Sequence, residues 1–595
     1  MKNMVKMATV FLMLLCIIAS LYATEYEDQA TDDTTKIETL YMNQLKNCQQ
    51  EKFEKQYEYP FLALLSKEDK KQYNELQNLK QKKEYIEYYW KDHNPNPLLK
   101  SNDYLYDFIR RYHYVKNNFS YAKPPYFDHR GKYYLKYGEP SYRYQEKSQI
   151  KNADLFRSPL IRSFLREIIG STTYRRIIIP MQYTVNANET WVYQFLPGGA
   201  ENELVLHFVA EGKFFREVPS LDNAILSPNT AAIKYFYWAD MIKKRASATQ
   251  SQLVFNTLDQ ILRFEQDIID AAWSGASHTT AFDVTSPEHQ IRQMKNTLNV
   301  KLKRNKSRTP TTRYASSEAI QELSFKYGIA QYKGSQGSTM LIMNYFIPYA
   351  FNFSENLEST VSDSISIEYA CLFEDHRLER VKQKNYSIRY PLQKISQLKL
   401  PYLIESSSIS VPAQKGRITL QLKDNATERI GFVKHDISLR DFNTDDLCIS
   451  DIQFCREIQD SLYRDIYPLI RKRGISVTPY PYESIKRSEQ VFCYFEIYNI
   501  KSSGIENEYE VAIEVTTVKD KKGLFKRIGN IFSHSQENSI SLQQTRIAEQ
   551  DDSQELIGLD LSNLKPGTYI LAIKASDKDK ENRSAIITRE LEITE

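Results

Sequence analysis

Apolar positions recur at helical spacing from Ile37 onward: Ile37, Leu40, Tyr41, Leu45 and Cys48 fall on one face. Tyr59-Pro60 ends that run. Ser66-Lys67-Glu68-Asp69 predicts a new helix start, since a serine oxygen accepts an orphan backbone N–H and acids suit the positive end of the helix dipole. The next helix turns Ile86, Tyr89 and Trp90 inward and stops at Asn94-Pro95-Asn96-Pro97, because proline cannot continue the hydrogen-bond ladder. Another, over 102–119, spaces Tyr104, Phe108, Tyr112, Val115 and Phe119 along one side. After Pro124-Pro125 the period shortens. A charged turn, Asp128-His129-Arg130-Gly131, leads into a predicted strand, Lys132 to Tyr137, in which Tyr133, Leu135 and Tyr137 alternate with Tyr134 and Lys136. Gly138-Glu139-Pro140 closes it. Strands are also predicted over 176–185, 190–196 and 203–209, with Pro197-Gly198-Gly199 as a turn.

Residues 216–310 return to helix, chiefly 231–241 and 253–273, and the stretch KLKRNKSRTPTTR (301–313) predicts a solvated basic linker. From about 318 the period is that of strands. Ile365, Ile367, Tyr369, Cys371 and Phe373 share a face, and Ile418, Leu420 and Leu422 repeat the alternation, as do Phe432 and 437–439. Gly334 to Thr339 predicts a hairpin turn. A second strand-rich stretch carries Val491, Cys493, Phe495 and Ile497, then Val511, Ile513 and Val515, then Tyr569, Leu571 and Ile573, then Ile587, Leu591 and Ile593, with a turn at Lys565-Pro566-Gly567-Thr568.

The expected fold class is therefore α+β multidomain: a helical N-terminal region with a small α+β unit, then two β-sandwiches of the immunoglobulin or fibronectin kind. The expected organisation is a signal over 1–23, a disordered acidic lead-in over 24–35, the helical and α+β domain over 36–215, and a helical segment with linker over 216–317. A sandwich over 318–442, a connector with short helical content over 443–474 and a second sandwich over 475–595 complete it.

Length supports this division, because 595 residues exceed what one core can serve. Charge removes one class of function. With 79 basic and 75 acidic residues the net charge is only +4, without the basic excess of a nucleic-acid binder. The 42 tyrosines fit amphipathic cores and sheets, or platforms for sugars and partner chains. Lys2 and Lys6 precede an apolar run, Ala8 to Leu21, too short for a comfortable membrane span and typical of an export signal, with cleavage after Ala23 or retention as an anchor. Leu14-Leu15 before Cys16 lacks the small residue of a lipidation site. The expected location is the periplasm, the cell envelope or its outer surface, with no membrane span beyond the signal. Beyond the signal, Cys48, Cys371, Cys448, Cys455 and Cys493 form no CxxC pair, so neither a zinc site nor a disulfide scaffold is indicated. Cys371 and Cys493 sit on strand patterns as small buried residues, and a Cys448–Cys455 bridge stays open.

The order of these elements resembles the bacterial GWxTD domain-containing proteins. The resemblance rests on the Ser66 helix, Tyr89-Trp90-Lys91-Asp92-His93-Asn94-Pro95-Asn96-Pro97, and the 102–119 helix running into Arg130-Gly131 and Gly138-Glu139-Pro140. Trp191-Val192-Tyr193 and the passage from Leu439-Arg440-Asp441-Phe442 to Leu447-Cys448-Ile449-Ser450-Asp451-Ile452 also look like parts of such proteins. The family's naming motif falls on Pro125, Tyr126, Phe127, Asp128 and His129, where its glycine, tryptophan, threonine and aspartate are all replaced, and Asn94 stands where an acid is usual. The resemblance implies architecture and export, and supplies no reaction.

Two kinds of function remain. Asp92, His93, Asp128, His129, Arg130 and Glu139 stand near one predicted turn, and a carboxylate beside a histidine can support general acid–base work. Asp128, His129 and Glu139 are the candidate catalytic residues. The alternative for the same groups is an ion-pair network anchoring helices to a strand, with Arg130 binding a carboxylate through its planar fork. Trp90, His93, Tyr126, Arg130 and Trp191 are the candidate binding residues. There is no HExxH, no GxSxG and no P-loop lysine near Gly334, so no metal, cofactor or nucleophile is expected. The leading expectation is a non-catalytic envelope protein that binds or scaffolds other proteins. The second is a glycan-binding or glycan-processing protein that stacks sugars on aromatics and uses the carboxylates of Asp128 and Glu139.

Overall fold

The structure, a computed structural model, describes residues 33–152, 182–194, 196, 203–227, 231–273, 287–309, 312, 323–348, 364–391, 402–427, 429–457, 470–472, 475–480, 484–501, 507–517, 540–548, 551–577 and 583–595. The expected signal, most of the lead-in and the Pro197-Gly198-Gly199 turn lie outside these. The chain divides into two compact units, Met1–Ala319 and Ile320–Glu595.

The first unit opens with helices: α1 (33–47), α2 (Gln50–Phe53), a π-turn over Glu54–Glu58, α3 (Tyr59–Leu62), α4 (Lys67–Asn74), α5 (Leu79–Asp92) and α6 (Asp103–Asn118). Caps set the starts. Ser66, Asn78 and Asn102 each accept a hydrogen bond from the backbone two or three residues inside their helix. Asn102 also donates to the Trp90 carbonyl at 2.6 Å, which fastens α6 to the end of α5 across the proline break.

The predicted strand 132–137 is a helix, α7 (His129–Tyr137). The reason is Asp128. Its carboxylate accepts from the N–H groups of Arg130 and Gly131 and so caps a helix there. The six residues from Lys132 to Tyr137, three tyrosines, a leucine and two lysines, fit either period. The cap and the close approach to α6 decide it: a Cβ on Gly131 would lie 2.9 Å from both Phe127 and Val115. Gly138, at φ 78°, ends the helix in a conformation that glycine tolerates best.

An antiparallel sheet follows, built from β1 (Tyr142–Glu146), β4 (Asn188–Tyr193), β5 (Leu204–Glu211) and β6 (Phe214–Val218) in that order. A second small sheet holds β2 (Gln149–Asn152), β3 (Gln182–Val185) and β7 (Ile225–Ser227). Helices α8 (Ala231–Thr249), α9 (Gln252–Trp273) and α10 (Pro287–Arg308) complete the unit. The larger sheet is covered on both faces. Trp191, Tyr193, Leu206 and Phe208 join the core of α1–α7, whereas Val192, Val205 and Val209 join Tyr237, Trp238, Met241 and Ile242 of α8. The basic stretch expected as a linker is the last part of α10 through Arg308. Leu298 and partly buried Leu302, one helical turn apart, pack on the second core, so Lys and Arg occupy the outer face of a helix.

The second unit is two β-sandwiches. One packs β8 (Lys326–Lys333), β9 (Ser338–Pro348) and β12 (Tyr402–Pro412) against β10 (Ser364–Asp375), β11 (Arg380–Pro391), β13 (Lys415–Asp424) and β14 (Ile430–Ser438). The sheet orders are β12-β9-β8 and β11-β10-β13-β14. The predicted face Ile365, Ile367, Tyr369, Cys371 and Phe373 lies in its core. The other packs β15 (Cys448–Ile449), β16 (Gln453–Glu457), β17 (Ile470–Lys472), β18 (Ile475–Pro479), β20 (Val491–Tyr498) and β23 (Ser553–Leu559) against a sheet in the order β19-β25-β24-β21-β22. Those strands are β19 (Ser484–Lys486), β21 (Asn507–Thr517), β22 (Ile540–Ala548), β24 (Gly567–Asp577) and β25 (Ser584–Thr594). Residues 443–474 are therefore not a helical connector where described. They supply β15, β16 and β17, because their apolar residues Ile449 and Phe454 complete this sandwich's core.

A seam joins the sandwiches. Arg440 pairs with Asp451 at 2.7 Å, and Asp451 exchanges backbone and side-chain hydrogen bonds with Gln331 of β8. Ala330 and Tyr332 of β8 pack on Cys455, Phe492 and Tyr494 of the facing sheet.

Candidate functional site

Asp128 and Arg130 are brought together with two residues that their own neighbourhood in the sequence did not reveal. Besides capping α7, Asp128 receives Arg130 Nε at 3.0 Å and Nη2 at 2.6 Å on its second oxygen. Arg130 Nη1 reaches Glu189 of β4 at 2.6 Å. Glu189 also accepts from Arg143 of β1 at 2.9 Å and from the Trp191 indole N–H at 2.7 Å. The Arg130 guanidinium lies 3.6 Å from the Phe215 ring centre. Two cations and two anions close on one another, and Asp128 and Glu189 are 2% and 5% exposed. Burial pushes the Glu189 carboxyl up, but the hydrogen bond from Arg143 and the charges of Arg130 and Arg143 outweigh it and hold the group below the usual carboxylate range.

The remaining candidates are separated from this network or occupied. His129 accepts the Glu217 N–H on Nδ1 at 3.1 Å, and burial first, then nearby Lys132, lowers its affinity for a proton. His93 caps the end of α5, stacked on Tyr89 at 4.0 Å with Nδ1 3.1 Å from the Tyr89 carbonyl. Tyr126 sits at φ 70° in the loop before α7, edge-on to Tyr59. Trp90 and Trp191, expected as binding surfaces, are fully buried core residues, because each fills the space between helices or between α7 and the sheet. Glu139 is exposed just past the end of α7, and Asp128 is buried before its start. Eleven residues at helical rise put them roughly 16 Å apart along the axis. A hydrolytic carboxylate pair needs about 5–10 Å, so these two do not form one.

The opposite face of β4 holds a second buried polar cluster. Arg245 of α8, wholly buried, donates Nε to Thr190 Oγ1 at 2.8 Å, Nη1 to the Met241 carbonyl at 2.9 Å, and Nη2 to Glu146 and Asn188. Thr190 Oγ1 is 3.0 Å from His207 Nδ1. Having accepted from Arg245, the hydroxyl donates to the histidine, which leaves the ring proton on Nε2. Burial, reinforced by Arg245, holds the His207 pKa down to about 3. Strand alternation places Glu189 and Trp191 on one face of β4 and Asn188 and Thr190 on the other, and this was the sequence signal that could have located both networks.

Among the described residues no group of three or more His, Cys, Asp or Glu is placed to hold a metal ion, and no helix is long and apolar enough to cross a membrane. Cys48, Cys371, Cys448, Cys455 and Cys493 are all free thiols.

No protein-family model matches the chain, and no curated protein matches it. Among solved structures, red sea bream transglutaminase matches at 9% identity over 55% of this chain, with a TM-score of 0.14. The matched part is 36% of the length of that enzyme. A likeness this slight carries no argument about activity.

Proposed function

We propose that this chain is an exported protein of the cell envelope that acts by binding or scaffolding other proteins, without chemistry of its own. The observation that carries the reading is the closure of Asp128, Arg130, Glu189 and Arg143 on one another. The groups best suited to catalysis are spent on joining α7 to the sheet, in the manner of structural ion-pair networks. The GWxTD resemblance and the apolar N-terminal run support export, and the immunoglobulin- or fibronectin-like reading of the sandwiches supports a binding role.

The test incubates residues 24–595 with native envelope extract, cross-links, and analyses captured proteins and glycans by mass spectrometry. A specific protein cross-linked to residues 320–595 is the expected result. Glycan enrichment with no protein partner would overturn the proposal.

A further inference from the structure

The seam between the sandwiches leaves one length of strand edge open. In the antiparallel β8–β9 pair, alternate residues of β8 turn their N–H and C=O groups away from β9. The bond from Gln331 N to Asp451 Oδ2 shows that the odd-numbered residues do so. Along that edge Leu323 donates to the Ile430 carbonyl, Gln331 both donates to and accepts from Asp451, and Lys333 donates to the Tyr498 hydroxyl. Between these closed ends, Tyr327 and Ile329 have no such partner among the described residues. An unpaired edge of this kind is a template for another strand.

The open edge borders a cleft of about 770 Å³, whose walls include Phe454, Tyr480 and Arg589. Its volume is in the range of binding cavities. Gly328 narrows it by no side chain. Arg589, on β25, stacks its guanidinium 4.4 Å from the Phe454 ring centre and donates to the Ile452 carbonyl. It makes no ion pair among the described residues. Asp451, the nearest acid on this seam, is already paired with Arg440. The side chain is reached by solvent, yet the surrounding protein strips enough water to lower its hold on the proton. Both are expected of a cation on the floor of a cleft. Glu590 and Glu592 line another wall from the exposed face of β25, opposite that of Leu591 and Ile593.

We infer that this cleft receives the C-terminal segment of a partner protein, which adds as a short strand to β8 at Tyr327 and Ile329 and places its terminal carboxylate on Arg589. Charge selects the occupant, because an arginine fork with no acid of its own matches a carboxylate bidentately. The short ladder selects a chain end, since the edge is closed just before β8 at Leu323 and within β8 at Gln331, and a longer strand would collide with those partners. Direction follows as well. Arg589 is tied to Ile452, next to the Asp451 that closes the ladder at Gln331, so the incoming chain runs parallel to β8. Strand addition supplies main-chain hydrogen bonds and carboxylate capture fixes the register. Glu590 and Glu592 disfavour further acids upstream in the peptide. The inference deepens the binding role proposed above and rests on it.

The experiment selects a library of random decapeptides with free C-termini on the full chain. The strongest sequence is made as a fluorescein-labelled free acid, as its C-terminal amide, and with N-methyl groups at alternate residues. The free acid is expected to bind at least tenfold more tightly than the amide in fluorescence anisotropy, and N-methylation is expected to abolish binding. Arg589→Gln should weaken the free acid to the level of the amide, and Arg589→Lys should restore part of the difference. Hydrogen exchange of Tyr327 and Ile329 should slow in the wild-type complex. No enriched sequence, equal binding of acid and amide, or unchanged binding to Arg589→Gln would each overturn the inference. If Arg589→Gln does not fold, the acid–amide comparison and the exchange data on the wild type still decide. A captured envelope partner that binds Arg589→Gln undiminished would overturn the cleft assignment and leave the scaffolding role standing. Arg589-dependent peptide binding with no captured partner would do the reverse.

Discussion

Arg130 and Glu189, fifty-nine positions apart in the chain, meet at 2.6 Å and form, among the described residues, the ion pair that ties α7 directly to the middle of the sheet. Removing one member leaves the other charged and buried. Arg130→Ala is expected to cost about 3–5 kcal/mol, as breaking a buried pair generally does. All four tryptophans, Trp90, Trp191, Trp238 and Trp273, belong to the first unit, so tryptophan emission during urea unfolding reads that unit alone. Combining Arg130→Ala with Glu189→Gln should cost clearly less than the sum of the single changes. Additive losses would show that the two side chains do not act as a pair.

Acid should loosen the same unit through His207. The folded state refuses a proton until about pH 3, whereas an unfolded histidine takes one below about 6.5. The unfolded chain therefore binds more protons in that window, and stability is full above it and lost as pH falls. Between pH 6.5 and 4.5 the loss is up to about 2–3 kcal/mol at ~1.4 kcal/mol per unit. His207→Asn, whose Oδ1 can accept from Thr190 in place of Nδ1, should lack this slope when tryptophan emission is followed at several pH values. An unchanged slope would rule out His207 as its source.

Glu405 works in the opposite direction. Burial raises its pKa to about 7, against the opposing hydrogen bond from the Tyr369 hydroxyl at 3.1 Å. The folded state holds a proton that the unfolded chain has released, so stability falls as pH rises from about 4.5 through 7. Glu405→Gln keeps an acceptor for Tyr369 and removes the charge. It should gain about 1–3 kcal/mol at pH 8, with the gain vanishing near pH 5. The urea midpoint of the far-ultraviolet circular dichroism signal provides the measurement, and a gain independent of pH would disprove the titration.

Thiol labelling tests the placement of the sandwich strands. Cys371, Cys455 and Cys493 are buried, and burial pushes all three thiols up, Cys493 to about 12. Cys48 and Cys448 are partly accessible. Native protein should therefore modify at Cys48 and Cys448 within minutes and at the other three only on unfolding, since the thiolate is the reactive form. Rapid native labelling of Cys371 or Cys493 would contradict the buried faces of β10 and β20.

Local signals in the sequence located the helices with proline stops and side-chain caps, and the strands with one clean apolar face. Ser66, placed by its capping oxygen, and Ile365 to Phe373, placed by their alternation, are examples, and both are where these signals put them. Lys132 to Tyr137 misled because a six-residue run of tyrosine, leucine and lysine fits both periods. Asp128 suits a charged turn and a helix cap equally, and only its bonds to the Arg130 and Gly131 N–H groups separate the two. The site network depended on partners from β1 and β4, and no local pattern states which strand face a helix will meet. The charges of 301–308 resemble those of a solvated linker, whereas the packing is carried by Leu298, upstream of the basic run, and by Leu302 within it.

The sheet of the first unit has consequences for how the polypeptide can be cut. Its Val192, Val205 and Val209 face belongs to a core whose other side comes from α8 and α10, downstream of residue 230. A gene fragment ending near residue 215 would deliver the helical half with a bare valine wall, and should accumulate as insoluble material. Residues 33–309 must be inherited, expressed and exchanged together.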